Sequence, residues 1–402
     1  MEMDYACRLS NLKSSAIRQM LKMTTEREII SFAGGLPDAR LFPTEALGDL
    51  AEKVIKEHGR VALQYAPTEG LLPLREKVAT FLQAKGICVS PDHILITHGS
   101  QQGIDLLCKL FLDPGNGLLT ENPSYLGALQ CFRFFEAHLF SAATDKEGMV
   151  VAELAEALKK KPRMVYLMPN FQNPTGIQYS FNRRREVAEA LAAQGALMIE
   201  DDPYGELLYE GSPLPSLWSF YAGDCKIHLG TFSKTIVPGL RVAYLVSDPE
   251  IVHRLAMIKQ ATDLHTNTLG QWLVNAFLEE GLLGEHIEKI RRTYRAKRDI
   301  MGAAIQKYCP AFAEYETPKG GMFFWVRLPE RLDAMKLLEN CLGRGVALVL
   351  GGDFFIEPPL DGSCIRLNFT SVEEGRIEPG ISVIGEEMAR LAEQKEPASA
   401  LR

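Results

Sequence analysis

Between about residue 45 and residue 285, short apolar runs alternate with segments of helical periodicity, and this alternation constrains the fold more than any other feature. Such runs fit buried strands, and the helical segments between them supply the crossovers of an α/β sheet. The predicted strands are Ile94–Thr97, Gly117–Thr120, Met164–Met168, Ala196–Glu200, Ile227–Gly230 and Val242–Val246. Several end in a polar or glycine-rich turn. In open α/β sheets ligands gather at such strand ends.

After residue 285 the pattern changes. A charged helix, Ile287 to Ile305, leads into strands Met322–Val326, Ala347–Leu350 and Cys364–Phe369, which predicts a second, smaller α+β unit. Residues 10–23 read as an amphipathic helix, with Leu12, Ile17 and Leu21 apolar and Lys13, Arg18 and Lys22 polar. Two glycines and a proline then make Ser31–Asp38 a loop. With 402 residues the chain is too long for one small core. The expected division is a large unit over residues 46–285 and a small one built from residues 1–45 and 286–402. The tail after Ala392 is polar and expected to fray.

Composition excludes several classes of function. The 44 basic and 51 acidic residues give a net charge of −7, which argues against a general nucleic-acid binder. The acidic start, Met1-Glu2-Met3-Asp4, lacks a signal-peptide pattern, and no apolar run is long enough to span a bilayer. The eight cysteines are scattered without a C-x-x-C pair, as free thiols of a reducing cytoplasm are. The eight histidines show no metal-ligand spacing, and there is no Walker A loop and no G-x-G-x-x-G.

Four strand ends carry candidate chemistry. Lys234 follows the strand Ile227–Gly230, flanked by Thr231, Ser233 and Thr235, with Arg241 behind a Pro-Gly turn. It is either a surface lysine or a nucleophilic amine. In the second case the amine forms an imine with a phosphorylated aldehyde, while the hydroxyls and the guanidinium hold the phosphate. Asp201 and Tyr204 lie at the end of another strand, in Glu200-Asp201-Asp202-Pro203-Tyr204-Gly205. This is a turn, or a carboxylate that keeps a pyridine nitrogen protonated with a phenol near the ring oxygen. Asp202 is the other candidate for the ring contact; the three-residue step to Tyr204 favours Asp201. Asn173, in Phe171-Gln172-Asn173-Pro174, can donate to the same ring oxygen. Gly99-Ser100-Gln101 opens a helix and offers free N–H groups to a phosphate, or simple N-capping by Ser100. Tyr125 stacks either on an aromatic cofactor or on the core. Arg366, alternating with apolar residues, either faces water or pairs with a substrate carboxylate.

Taken in order, the motifs S-F-A-G-G-L-P-D, Q-Y-A-P-T-E-G, G-S-Q-Q, N-P-S-Y, F-Q-N-P-T-G, E-D-D-P-Y-G, G-T-F-S-K-T-I-V-P-G-L-R, P-K-G-G-M-F and I-R-L run from about Ser31 to Thr370. This series resembles the fold-type I aminotransferases that use pyridoxal 5′-phosphate (PLP), and most of all their 2-aminoadipate and kynurenine aminotransferase subgroup. The resemblance implies a mostly parallel seven-stranded sheet between helices plus a smaller α+β domain. It implies that Lys234 carries PLP and shuttles the substrate proton, and that Asp201 pairs with the ring nitrogen. Asn173 and Tyr204 would bind the ring hydroxyl oxygen, and Tyr125 would stack on the ring. Ser100, Gln101, Thr231, Ser233 and Arg241 would hold the phosphate, with Tyr65 reaching the phosphate of a neighbouring subunit in a homodimer. Arg366 would clamp the substrate α-carboxylate, and Gly34 and Gly35 would let their loop close on the substrate. Thr231 stands where serine is common in the family; the hydroxyl is kept. The implied reaction moves an amino group from an L-amino acid (2-aminoadipate, glutamate, aromatic or branched-chain) to a 2-oxo acid such as 2-oxoglutarate. Arg18 is a candidate reader of a side-chain carboxylate, or an exposed helix arginine. PLP-dependent lyases and decarboxylases share the fold and are the alternative. An effector-binding regulator would need a DNA-binding domain ahead of Ser31, where only about thirty residues stand.

Overall fold

The computed structural model describes residues 5–12, 29–329, 332–357 and 363–394. Arg18 and most of the helix expected over residues 10–23 lie outside them. Ser10 and Asn11 end a 3-10 turn, Cys7–Asn11, and Leu12 is extended, so those three residues do not open an α-helix.

Seven strands form one sheet: β1 (Ile94–Thr97), β2 (Gly117–Glu121), β3 (His138–Ala142), β4 (Met164–Leu167), β5 (Met198–Asp202), β6 (Lys226–Thr231) and β7 (Ala243–Val246). Their order across the sheet is β1-β7-β6-β5-β4-β2-β3. Only β7 runs antiparallel to its neighbours, so the other six point the same way. The six predicted strands are all present, shifted by two residues at most. The unread strand is β3: it lies at the sheet edge with His138 exposed and only Phe140 and Ala142 buried, so its apolar signal is weak.

Every residue of β1, β4, β5 and β7 is buried, because helices cover both faces. Ile94 and Ile96 of β1 pack with Val78 and Leu82 of the helix Leu72–Gln83, whereas Leu95 packs with Leu106 and Leu107 of the helix Ser100–Phe111. Adjacent strand residues thus serve opposite faces.

A second, wholly antiparallel sheet contains β8 (Glu314–Tyr315), β9 (Phe323–Leu328), β10 (Val349–Leu350) and β11 (Ser363–Asn368), in the order β8-β9-β11-β10. The expected strand Ala347–Leu350 is split. Val349–Leu350 joins this sheet, while Val346–Ala347 pairs in parallel with Ile30–Ser31. That pairing fastens the N-terminal segment to the C-terminal one. The helix Leu282–Tyr308 extends the predicted one at both ends and buries Ile287, Ile290, Tyr294, Met301 and Ile305 along one stripe. No helix among the described residues is long and apolar enough to cross a membrane.

The glycine loop is pinned where it ends. Asp38 is 4% exposed; its N–H donates to Tyr294 Oη (2.8 Å), and its carboxylate accepts from Lys297 Nζ (2.6 Å) and from Arg40 Nε and Nη2 (2.9 Å each). Lys297, itself buried, also donates to the carbonyl of Thr370 (2.6 Å). Burial opposes the charge on Asp38, but Arg40 and Lys297 hold its carboxyl down at about 2. A depressed carboxyl pKa contributes stability that is complete above about pH 4 and lost as pH falls towards 2. Lys297→Met strips the buried carboxylate of one partner and should cost about 3 kcal/mol. Urea unfolding at pH 7 measures this, and the difference from wild type should shrink between about pH 4 and pH 2.

Candidate active site

The C-terminal ends of the parallel strands open on a cavity of about 920 Å³. The turn after β1 brings Ser100 and Gln101, that after β2 Tyr125, and that after β4 Asn173. Asp201 and Tyr204 come from the end of β5, and Thr231, Ser233 and Lys234 from the end of β6; all of these line the cavity. Arg241 enters just before β7, Arg366 comes from β11 of the second sheet, and Gly35 comes from the N-terminal loop. Gly34 is buried directly behind Gly35.

Three cations meet here, and none has a carboxylate partner among the described residues. Lys234 Nζ donates to the carbonyl of Gly35 (2.9 Å). Burial, then the charges of Arg241 and Arg366, lower its pKa to about 8. Arg366 is 2% exposed, so it faces inward rather than to water. Its Nη1 donates to Asn173 Oδ1 (2.8 Å) and its Nη2 to the carbonyl of Ala33 (2.8 Å), while its guanidinium lies 4.3 Å from the Phe323 ring centre. Burial brings its pKa down to about 10. Asn173 uses its oxygen on Arg366 and so presents its amide N–H₂ elsewhere.

Arg241 builds a cup with the start of the helix Ser100–Phe111. Its Nη2 donates to the carbonyl of His98 (3.2 Å), and its Nη1 reaches Ser233 Oγ (3.5 Å). Thr231 Oγ1 donates to Ser233 Oγ (3.0 Å). Gly99 has φ +78°, and a Cβ there would fall 2.1 Å from Arg241 Nη2, so only glycine admits the guanidinium. Arg241 itself has φ +55°, a left-handed backbone that a non-glycine residue keeps only where its surroundings hold it. Ser100 Oγ is buried with no hydrogen-bond partner among the described residues. A cation, a helix N-terminus and unpaired donors make an anion site.

Asp263 braces that cup from behind, which sequence reasoning missed. Its carboxylate accepts from Lys259 Nζ (2.8 and 3.0 Å) and Gln102 Nε2 (2.6 Å), and lies 2.9 Å from His98 Nδ1. His98 Nε2 accepts from Asn267 N–H (3.0 Å), which leaves Nδ1 to donate to Asp263. Lys259 and Asp263 lie four apart on one helix, the only signal available in the sequence.

The two adjacent aspartates separate cleanly. Asp202 accepts from Lys85 Nζ (2.8 Å), Asn170 Nδ2 (2.9 Å) and Gly205 N–H (2.8 Å), away from the cavity. Burial opposes its charge, yet Lys85 and His228 hold its carboxyl at about 2. Asp202 therefore shapes the turn that carries Tyr204. Asp201 lines the cavity; its Oδ2 accepts from Tyr166 Oη (2.6 Å), and its buried Oδ1 has no partner among the described residues. Burial pushes its carboxyl up to about 7. Tyr204 stands edge-on to Phe323 at 5.9 Å, and burial raises its phenol pKa.

Tyr125 precedes the helix Leu126–Phe134, and a Cβ on Gly127 would sit 2.6 Å from its ring. Gln101 Nε2 donates to the carbonyl of Gly127 (2.9 Å), which fixes the same corner. Tyr65 does not enter this cavity: it is 77% exposed and rests edge-on against His265 at 5.6 Å. Leu12, Cys131, Phe134 and Phe354 complete the apolar wall. Nothing in their local sequence marks them, since they meet only in the fold.

The depressed lysine is directly testable. In cofactor-free protein, acylation of Lys234 should show a pH midpoint near 8, against about 10.4 for ordinary lysines. Removing a neighbouring positive charge favours the ammonium, so Arg241→Gln should move that midpoint upward. Peptide mapping of the labelled site across a pH series measures both.

The geometry has counterparts. Residues 37–384 match the family model described as aminotransferase class I and II. The chain is 42% identical to the 2-aminoadipate transaminase of Thermus thermophilus, over 93% of this chain and 94% of that protein. It is 38% identical to the aromatic-amino-acid aminotransferase 1 of Thermococcus litoralis, over 93% and 91%. The crystal structure of the alpha-aminoadipate aminotransferase from Thermus thermophilus, complexed with N-(5′-phosphopyridoxyl)-L-leucine, superposes with a TM-score of 0.90 at 39% identity, covering 97% of this chain and 98% of that one. A lysine of lowered pKa and an anion cup at the strand ends thus belong to an aminotransferase, and the chain is a member of the class I and II aminotransferase family.

Proposed function

We propose that this aminotransferase uses PLP to move the amino group of an L-amino acid to a 2-oxo acid, with 2-oxoglutarate as acceptor. One observation carries the reading: Lys234, Arg241, Arg366 and the half-satisfied carboxylate of Asp201 line a single cavity. The residues fit the cofactor. Ser100 Oγ and Asp201 Oδ1 are buried polar atoms without partners among the described residues, one in the anion cup and one on the cavity wall. Ser100, Gln101, Thr231, Ser233 and Arg241 would hold the phosphate. Tyr125 would stack on the ring, Asn173 and Tyr204 would bind its hydroxyl oxygen, and Asp201 would hold a proton on its nitrogen. When bound, PLP supplies a conjugated ring that withdraws electron density from the substrate Cα.

The protein's own share is binding, orientation and proton movement. Arg366 would bind the substrate α-carboxylate through its two terminal nitrogens, each of which has a second N–H besides the one given to Asn173 Oδ1 or to the carbonyl of Ala33. Lys234 Nζ, whose pKa burial and its cationic neighbours lower to about 8, would take the Cα proton and hold it for return during the transfer. Gly35, whose carbonyl faces Lys234, lies with Gly34 on the loop that would close on the substrate.

Residues 46–285 form the PLP-binding domain in this reading, with residues 1–45 and 286–402 as the small domain. Two copies associate so that Tyr65 completes the neighbour's phosphate site. The exposure of Leu63 (67%) and Leu264 (51%) near Tyr65 supports an apolar contact there. The eight unpaired thiols support a reducing cytoplasm. The donors that fit are 2-aminoadipate, glutamate, and aromatic or branched-chain amino acids; the apolar wall of Leu12, Phe134 and Phe354 supports the last two.

The purified protein should be yellow, and borohydride should fix the cofactor to the peptide containing Lys234. Lys234→Ala should lose amino transfer by at least about 10⁴-fold, read as 2-oxo acid formed from a panel of donors with 2-oxoglutarate. Ammonia or CO₂ released without an acceptor would instead establish a lyase or a decarboxylase. Arg18→Ala should lower the rate with 2-aminoadipate relative to leucine; equal relative rates would remove Arg18 from substrate recognition.

A further inference from the structure

We infer that Tyr166 is a positioning residue for this reaction: by donating to Asp201 Oδ2 it fixes the carboxylate with Oδ1 turned to the cavity and keeps the shared proton on the cofactor ring nitrogen rather than on Asp201. The inference rests on the PLP reading above and adds to it a residue two strands' width from the cofactor lysine.

The placement follows from the sheet. β4 and β5 pair in parallel with Tyr166 opposite Ile199, and Asp201 lies two residues beyond on the same face. The phenol therefore leans along the strand direction to reach the carboxylate of the next strand. Tyr166 is 0% exposed, and Phe132 of the helix Leu126–Phe134 packs edge-on against its ring at 5.4 Å. Among the described residues its hydroxyl has one partner, Asp201 Oδ2 at 2.6 Å, the length of a hydrogen bond to a charged acceptor. The other oxygen, Oδ1, is buried and unpartnered among the described residues, in a side chain that lines the cavity. A carboxylate oxygen left so is costly unless a donor arrives.

The other ionisable groups that act on Asp201 or respond to its charge are Asp202, His228, Glu121, Tyr125 and Tyr204. Of these His228 favours the carboxylate and Asp202 opposes it, while burial dominates and pushes the carboxyl up to about 7. Tyr166 works against that burial. Without its O–H, Asp201 becomes the stronger base, and a proton shared with a pyridine nitrogen moves from nitrogen to Oδ1. No atoms are gained or lost. The ring then carries less positive charge and withdraws electrons less well.

Tyr166→Phe keeps the ring and its contact with Phe132 while removing the donor. With PLP labelled with ¹⁵N in the ring, the wild-type holoenzyme should give a resonance at the protonated position. Tyr166→Phe should shift it towards the unprotonated position and lower kcat about tenfold, with KM within about twofold. If the phenylalanine variant does not fold, 4-aminophenylalanine at position 166 retains the shape with a weaker donor, and a smaller shift in the same direction is expected. A wild-type ring nitrogen that binds unprotonated would overturn the PLP reading of Asp201. A protonated wild type with an unmoved resonance and unchanged kcat in Tyr166→Phe would overturn the role of Tyr166 alone.

Discussion

The candidate active site is organised around a local excess of positive charge. Lys234, Arg241 and Arg366 face one cavity, and among the described residues each is met by backbone carbonyls or neutral side chains rather than by a carboxylate. Moving cations out of water and close together is unfavourable. Carbonyl dipoles of Ala33, Gly35 and His98 offset part of that cost without cancelling the charge. The cavity is left with a residual attraction for anions, which the proposed phosphate and substrate carboxylate would satisfy. The low pKa of Lys234 has the same origin, so the affinity of the site for anions and the nucleophilicity of its lysine arise from one arrangement.

Such an arrangement persists only where the backbone is held from outside. Two ionic clusters do this, one part-buried around Asp263 and one buried around Asp202. Asp263 ties Lys259, Gln102 and His98 into the base of the anion cup. Asp202, with Lys85 and Asn170, sets the turn carrying Tyr204, and Arg184 binds the carbonyls of Pro169, Tyr179 and Pro215 beneath it. The N-terminal loop, which supplies the carbonyls of Ala33 and Gly35, is fixed at one end by the Ile30–Val346 pairing and at the other by Asp38 and Lys297. These carboxylates are fully partnered and so are structural, in contrast to Asp201.

Much of this was legible in the sequence, for a physical reason. Strands buried on both faces are written as continuous apolar runs, and their terminal turns need glycine, proline and short polar residues; both patterns are local. Lys234, Asp201, Asn173 and Ser100 could be placed because each follows such a run directly. The edge strand His138–Ala142 was missed because half of it faces water. Tyr166 and Phe354 were missed because their importance depends on which strand or loop lies opposite, a fact of register and topology rather than of neighbouring residues. Arg366 stayed ambiguous for the same reason: alternation locates two faces but does not say which one meets the cavity.

Asp201 and Asp202 show how little the residue type decides. Both are buried at the end of β5, and burial drives both carboxyls upward. One residue's step along a strand reverses the face, and the partners differ accordingly. Asp202 meets an ammonium, an amide N–H₂ and a backbone N–H, and stays ionised down to about 2. Among the described residues Asp201 meets a single phenol, and it rises to about 7. A cationic donor delivered by a cofactor is the one element that would return Asp201 to the condition of its neighbour. A cofactor nitrogen bound there, as proposed, would satisfy Asp201 Oδ1, and that gain would favour the protonated form of the ring.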